Sequence, residues 1–415
     1  MRSLFITYDG LLSPLGQSQI LPYMRGLRAR GHTITILSFE QGENTTGAAQ
    51  VELRRQLERE GISWVALRYH KSPSAPATAY DVLQGAAMAR FLVGRDRIQI
   101  LHARSYVPTL MALLVAGPRR VIFDMRGFWA DERVDGNIWD RSRALPNAVY
   151  KLAKGLERWG LRRADHVVVL THAAGRLLGD IPGVTKPLPP VSIIPTCVDL
   201  ERFIPATDKA AARKILGLPS GRILVYQGSI GTWYMLAEMV AFVKEAKRRW
   251  PDLLWLVLAP TEHDRFRKEC ADAGLVEGAD YRIQALPHKE VPRWVATADA
   301  ALFFIRPSYS KLSSCPTKFG ECLACGIPVV ANTGVGDVAE TIVHHRVGAA
   351  ISRFANDAYR EALAALEGLF SDSETQSRCR KAAESDFALS DAISVYDGIY
   401  RAWETKERRP PIATS

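Results

Sequence analysis

The sequence predicts an α/β protein of two doubly wound domains, each a parallel sheet wrapped by helices. Three observations carry this. A chain of 415 residues favours two domains of ordinary size. Short apolar runs bounded by turn residues alternate with stretches of helical period, the pattern of repeated βαβ units. That pattern starts afresh after residue 200. The expected boundaries are 1–200 for a first domain and 201–388 for a second. Residues 389–415 are read as a last helix followed by a disordered tail.

The first half opens with a strand at 3–8, a loop at 9–19 carrying Gly10 and Gly16, and a helix at 20–30 with Leu21, Met24 and Leu27 on one stripe. Gly31 ends the helix and a strand at 33–39 leads to Glu40, the first βαβ unit. The loop lacks the G-x-G-x-x-G spacing of dinucleotide sites, and Glu40 alone is a weak ribose-binding acid. A charged helix at 51–61, a strand at 64–67, a loop at 72–79 and a helix at 80–93 come next. Strands at 98–102 and 121–126 end in polar groups: His102 and Arg104, then Asp124 and Arg126. The carboxyl ends of parallel strands are where open sheets bind ligands. Asp131 and Glu132 stand in what reads as a loop just beyond, placed to meet a ligand or to be solvated. A helix at 148–163 turns Leu152, Leu156 and Trp159 inward, and Lys151, Lys154, Arg158 and Arg162 to the other side. That basic face reads either as a membrane-surface element or as a solvated flank. Strands at 166–170 and 191–195 close this half.

In the second half a strand at 222–227 runs into Gly228 and Ser229, a turn that brings backbone N–H groups close to a phosphate ahead of a helix at 235–249. A strand at 253–258, a helix at 262–273, a short strand at 281–283, the pattern Leu286-Pro287-His288 and a core strand at 300–305 lead to the central stretch. Residues 310–332 read SKLSSCPTKFGECLACGIPVVAN. Ser313 or Ser314 is placed to cap a helix at 316–324, with Pro316 in its first turn. Such a start presents unpaired N–H groups with partial positive charge, an anion site flanked by Lys311 and Lys318. Glu321, one turn beyond Lys318, suits the vicinal hydroxyls of a ribose. An ordinary buried αβ unit is the plain alternative. Helices at 357–370, 373–386 and 390–403 complete the chain.

Composition narrows the partners. Residues 1–200 hold 26 Lys+Arg against 17 Asp+Glu, whereas the rest holds 28 against 27, so the first half carries nearly all of the net +10. That favours an anionic partner there, and with no nucleic-acid motif the reading is a lipid-linked group or an anionic membrane surface, with no nucleic acid. The N-terminus enters a strand directly, so no signal peptide is expected, and no apolar run approaches a membrane span. The 6 cysteines form no framework, which fits a reducing cytoplasm. Cys322 and Cys325, inside the predicted helix, are read as packing groups rather than zinc or redox ligands.

The stretch around Glu321 resembles the donor-site signature of retaining family 4 glycosyltransferases of the GT-B fold. Those carry two Glu separated by seven residues and then a small-residue helix and a G-x-P-V-V-A strand. Glu321 matches the second Glu, and 324–331 match the end of the small-residue helix and the strand; Ser313 stands where the first Glu is expected. Pro316 and Lys318 match a Pro-x-Lys variant. Arg126-Gly127 takes the place of a His-Gly beside the transferred sugar, Gly16 that of a glycine loop reaching toward the donor phosphates or the acceptor, and Leu286 that of a loop that binds the base. The resemblance implies two Rossmann-like domains facing across a cleft, with the helix of 389–415 crossing back to the first domain, and a nucleotide diphosphosugar donor, with no cofactor and no metal. It implies transfer with retention to a lipid-linked or polysaccharide hydroxyl, in surface glycan assembly at the cytoplasmic membrane face. On this reading Arg126, Asp131 and Lys318 are catalytic. Gly16, Gly228, Ser229, Leu286, Lys311, Ser313, Ser314, Cys315, Thr317 and Glu321 bind the donor. His102, Arg104, Asp124 and Glu132 stand on the acceptor or sugar side. A nucleotide-sugar epimerase of the same architecture, and a catalytically silent nucleotide-sugar-binding subunit, are the alternatives.

Overall fold

The computed structural model describes residues 1–41, 47–184, 186–287 and 289–404. His288 and residues 405–415, including the expected tail, lie outside the described residues. The chain divides into two compact units, Met1–Ile194 with Leu389–Ser415, and Pro195–Ala388. The break falls a few residues before the expected 200.

The first unit holds a seven-stranded parallel sheet. Its strands are β1 (Arg2–Thr7), β2 (Thr33–Glu40), β3 (Ser63–Arg68), β4 (Ile100–Arg104), β5 (Arg120–Asp124), β6 (His166–Val169) and β7 (Val191–Ile193), in the order β3-β2-β1-β4-β5-β6-β7. β4 is buried along its whole length, as a strand covered by helices on both faces must be. One apolar cluster, with Leu37, Leu101 and Met111, fills one region, and a second, with Phe123, Leu161 and Val167, fills another. The helix Leu389–Arg401 belongs to this unit and packs on the helix Leu21–Ala29, where Gly26 leaves room for Ile393.

The second unit holds six parallel strands: β8 (Ile223–Gln227), β9 (Leu254–Leu258), β10 (Tyr281–Gln284), β11 (Ala300–Leu302), β12 (Val329–Asn332) and β13 (Gly348–Ile351), ordered β10-β9-β8-β11-β12-β13. One continuous core runs through it, centred on residues such as Trp255, Phe304 and Leu323. Among the described residues no helix is long and apolar enough to cross a membrane.

Several expected elements change. The 9–19 loop contains a helix, Pro14–Gln19, because Ser13 caps it through Gly16 N–H and Pro14 sits in its first turn. Most of the 72–79 loop belongs to the helix Ser74–Arg95, where Pro76 falls early enough to be tolerated. Asp131 and Glu132 lie in the helix Trp129–Asp135, not in a loop. β11 stops at Leu302 because the next residues pair antiparallel with the segment after β8: Met235 N–H donates to Phe304 O and Arg306 N–H to Trp233 O. β13 was not expected, since its GAAI sequence carries almost no strand signal.

Candidate functional site

The second unit gathers its polar groups where β8, β11 and the helix Thr317–Ala324 meet. That helix follows a 3-10 turn, Ser310–Ser313, and its N-cap is Pro316, which makes no side-chain cap. The expected serine cap is therefore corrected. Ser313 Oγ donates back to Ser310 O, and Ser314 N–H is bound to Lys311 O. The first-turn amides are left without a side-chain acceptor, which keeps the anion-binding character of the helix start. Cys315 is tied down by Thr196, whose Oγ1 donates to its carbonyl at 2.7 Å, and Thr317 opens the helix half-buried.

Lys318 and Glu321 are both buried, 8% and 9% exposed. Lys318 Nζ lies 3.7 Å from the centre of the Tyr234 ring and 4.0 Å from that of Tyr226, and has no hydrogen-bond partner. Burial pulls its pKa down to about 7. Glu321 accepts a 2.6 Å hydrogen bond from Gln227 Nε2, and burial pushes its carboxyl up to about 7 against the pull of Lys318 and Arg202. Gly228 has a φ of +99°, and a Cβ there would sit 3.4 Å from Lys318 Nζ. Glycine thus serves the backbone turn and leaves the ammonium its space. Its own N–H is spent on Leu258 O, so it is not a phosphate donor. Ser229 is exposed with its carbonyl held by Tyr226 OH, and the next helix begins only at Leu236. The turn thus stands well ahead of the helix, as expected, and Ser229 is not part of a helix N-terminus. Lys311 Nζ lies 3.7 Å from the centre of the Trp233 ring, a second cation held by an aromatic of the same loop. Leu286 is half-buried against the core of this unit. Cys322, within the helix, and Cys325, at its C-cap, are buried free thiols, with Cys325 raised by burial to about 12.

The first unit gathers His102, Arg104, Asp124 and Arg126 at the ends of β4 and β5. Together with Gln19, Tyr23 and Tyr396 they line a small, partly open pocket. Arg126 Nη1 is 3.6 Å from Asp124 Oδ1, and Arg104 Nη1 is 3.9 Å from Asp124 Oδ2. Burial alone would raise the Asp124 carboxyl; Arg126, His102 and Arg104 hold it below its ordinary range. His102 is fully buried, which lowers its pKa, with Nδ1 3.0 Å from Tyr400 Oη. Arg126 has a φ of +57° and Gly127 one of +140°, an unusual backbone turn for a bulky residue where β5 ends. Glu40 is not a ribose ligand here. Its buried carboxylate accepts from Leu11 N–H at 2.7 Å and from Ser38 Oγ, shaping the loop after β1. Gly16 is needed because a Cβ would fall 2.3 Å from Gly10 O; its amide donates to Ser13 Oγ, so it offers no free N–H to a phosphate.

Two other expectations are overturned in this unit. Asp131 accepts from Tyr150 Oη at 2.8 Å and from Lys154 Nζ at 2.9 Å, so it serves the packing of the helix Ala144–Arg163. Glu132, its neighbour, is half-buried on the same short helix. Lys154 is itself buried and pairs also with Glu157. The supposed basic outer face therefore loses its second member, while Lys151 and Arg162 are exposed and Arg158 is partly covered.

Sequence reasoning missed Gln227, Tyr226 and Tyr234 around Lys318, and Tyr396 and Tyr400 over Asp124 and His102. The signal for Gln227 was its place as the last, polar residue of an apolar strand. For Tyr396 and Tyr400 it was spacing i, i+4 on the last helix, which reads as plain core stripe.

Two family models match this chain. That of Glycosyltransferase Family 4 matches residues 19–202, and that of Glycosyl transferases group 1 matches residues 208–386, so the two together take in most of the chain. Sucrose-phosphate synthase from Thermosynechococcus elongatus superposes with a TM-score of 0.73 at 15% identity, covering 97% of this chain and 99% of that one. Anabaena HepE in complex with UDP-glucose gives 0.67 at 14% identity, covering 97% and 100%. Two parallel-sheet α/β units with these neighbours define the GT-B fold of glycosyltransferases. Within that class, the chain belongs to the family 4 glycosyltransferases. Among curated proteins, the 2-deoxystreptamine glucosyltransferase of Streptomyces kanamyceticus is 28% identical over 202 residues, 46% of this chain and 49% of that protein. The chain spans about half the length of the curated relatives it matches.

Proposed function

We propose that the protein transfers a sugar from a nucleotide diphosphosugar to a hydroxyl of a lipid-linked or polysaccharide acceptor, with retention, in surface glycan assembly. The observation that carries this reading is the buried Lys318 ammonium. It has no hydrogen-bond acceptor, lies against two tyrosines, and stands in the first turn of an uncapped helix. A buried cation without a partner is costly unless an anion completes it. A diphosphate at the helix start does so, and Glu321, held by Gln227, is within one turn for a ribose. The relatives add weight: neighbours of the same fold are described in complex with UDP-glucose and UDP.

In the proposed reaction the departing diphosphate is stabilised by the helix start and by Lys318, with Lys311 nearby, and neither metal nor cofactor is invoked. Arg126, in the first unit, is assigned to the sugar or acceptor side of the reaction, and it forms an ion pair with Asp124. Asp131, engaged by Lys154 and Tyr150, is not retained as a base. Membrane-side work in the cytoplasm fits a first half that carries nearly all the net positive charge.

The test is transfer from a panel of nucleotide sugars to lipid-linked and glycan acceptors. Product with unchanged anomeric configuration is expected. Arg126→Ala is expected to lower turnover by about 100-fold with donor affinity kept. Isomerised sugar from donor alone would replace this reading with the epimerase, and an unaltered turnover number in Arg126→Ala would remove that residue from the chemistry.

A further inference from the structure

In the helix Ala144–Arg163 the sequence pattern is reversed at two positions: Leu152 turns to solvent and Lys154 inward, while Leu156 and Trp159 stay half-buried. Its buried residues are Ala153, Lys154, Glu157, Gly160 and Leu161. At 100° per residue these cluster on one side, and Leu145 and Leu152, seven apart, fall together on the other. Those two leucines are 73% and 75% exposed, and Ile138, in the connection before the helix, is 56% exposed. The reversal has a visible cause. Lys154 bridges Glu157 and Asp131, and Tyr106 Oη donates to Glu157, so the charged residues are satisfied inside. A scattered exposed leucine needs no explanation, but three large apolar side chains within fifteen residues do.

The charges around them are one-sided. Between 138 and 152 the exposed charged residues are Arg141, Arg143 and Lys151 against Asp140, whose carboxylate is engaged by the backbone N–H and hydroxyl of Ser142. Exposed apolar side chains interleaved along the chain with exposed cations suit a surface of acyl chains under anionic head groups. They do not suit a soluble anion, which gains nothing from the leucines.

We infer that Ile138, Leu145 and Leu152, with Arg141, Arg143 and Lys151, form a docking surface for an anionic lipid bilayer. The leucines enter the head-group boundary and the cations neutralise lipid phosphates. The inference deepens the acceptor half of the proposed function and stands apart from its donor chemistry. It replaces the basic face expected from sequence, since Lys154 is buried and Leu152 points outward.

The test is co-sedimentation of the full chain with vesicles of phosphatidylcholine alone and of phosphatidylcholine mixed with phosphatidylglycerol. Binding is expected to the mixed vesicles only, and to weaken as salt is raised. The double variant Leu145→Ser with Leu152→Ser, and the triple variant Arg141→Gln, Arg143→Gln, Lys151→Gln, are each expected to lower binding about tenfold or more. Thermal unfolding and nucleoside diphosphate binding of both variants should match the parent, which separates failure of this surface from failure of the donor site. Equal binding to neutral vesicles, no binding to either, or full binding by both variants would overturn the proposal. So would a solution dimer that the leucine variant converts to monomer, which assigns the patch to a second copy of the chain.

Discussion

Lys318 concentrates the chemistry of the second unit in one side chain. An ammonium buried beside Tyr226 and Tyr234 is favoured by their ring faces but has lost its water. Its pKa falls from 10.5 to about 7, and that of Glu321 climbs from 4.5 to about 7. The consequences for stability have opposite signs. Between about pH 7 and 10.5 the unfolded lysine holds a proton that the folded one has lost, so stability of the unliganded protein rises with pH. Between 4.5 and about 7 the folded glutamate holds the extra proton, so stability falls as pH rises. Together the two groups place a minimum near neutrality. Lys318→Met is expected to stabilise the unliganded protein at pH 7 by about 1–4 kcal/mol, the range seen when buried ionic groups give way to apolar ones. It should also flatten the alkaline limb. Denaturant midpoints across the pH range measure both, and an unchanged alkaline limb would refute the assignment.

At the scale of elements, the helix Ala144–Arg163 shows what packing decides and periodicity does not. Lys151 and Lys154 look equivalent in sequence. In the fold Lys151 is exposed, while Lys154 holds Asp131 and Glu157. Against burial, those acids keep the Lys154 ammonium above its ordinary pKa, while burial leaves the Glu157 carboxyl raised. Lys154→Met should therefore cost about 3–5 kcal/mol by stranding buried carboxylates. Lys151→Met should stay within about 0.5 kcal/mol. Equal effects in urea unfolding would contradict the network. The strands were readable because parallel sheets demand continuous apolar runs, which β1, β4 and β8 supply. The link 310–332 was readable because a proline before a small-residue helix and a Gly-Ile-Pro turn into Val329–Asn332 leave few other conformations. The inward face of a helix carrying a satisfied ion pair was not, since its partner Asp131 lies 23 residues away in sequence. Nor was the Pro14–Gln19 helix, whose cap looked like loop composition.

For the whole molecule, the two units differ in the polar groups they gather. The second pairs a bare helix start with buried Lys318 and Glu321; the first carries the arginine cluster at the ends of β4 and β5, and most of the net charge. Ser313 illustrates how the family signature is altered without loss of the fold. In place of a carboxylate its hydroxyl turns back on Ser310 within the 3-10 turn. Isothermal titration of a panel of nucleoside diphosphates into the parent protein and into Glu321→Ala tests the central claim most directly. The account predicts that one base binds the parent and that the variant, still folded, binds it about tenfold to 100-fold more weakly, the loss of a hydrogen-bonded charged group. Equal affinity in parent and variant would contradict it.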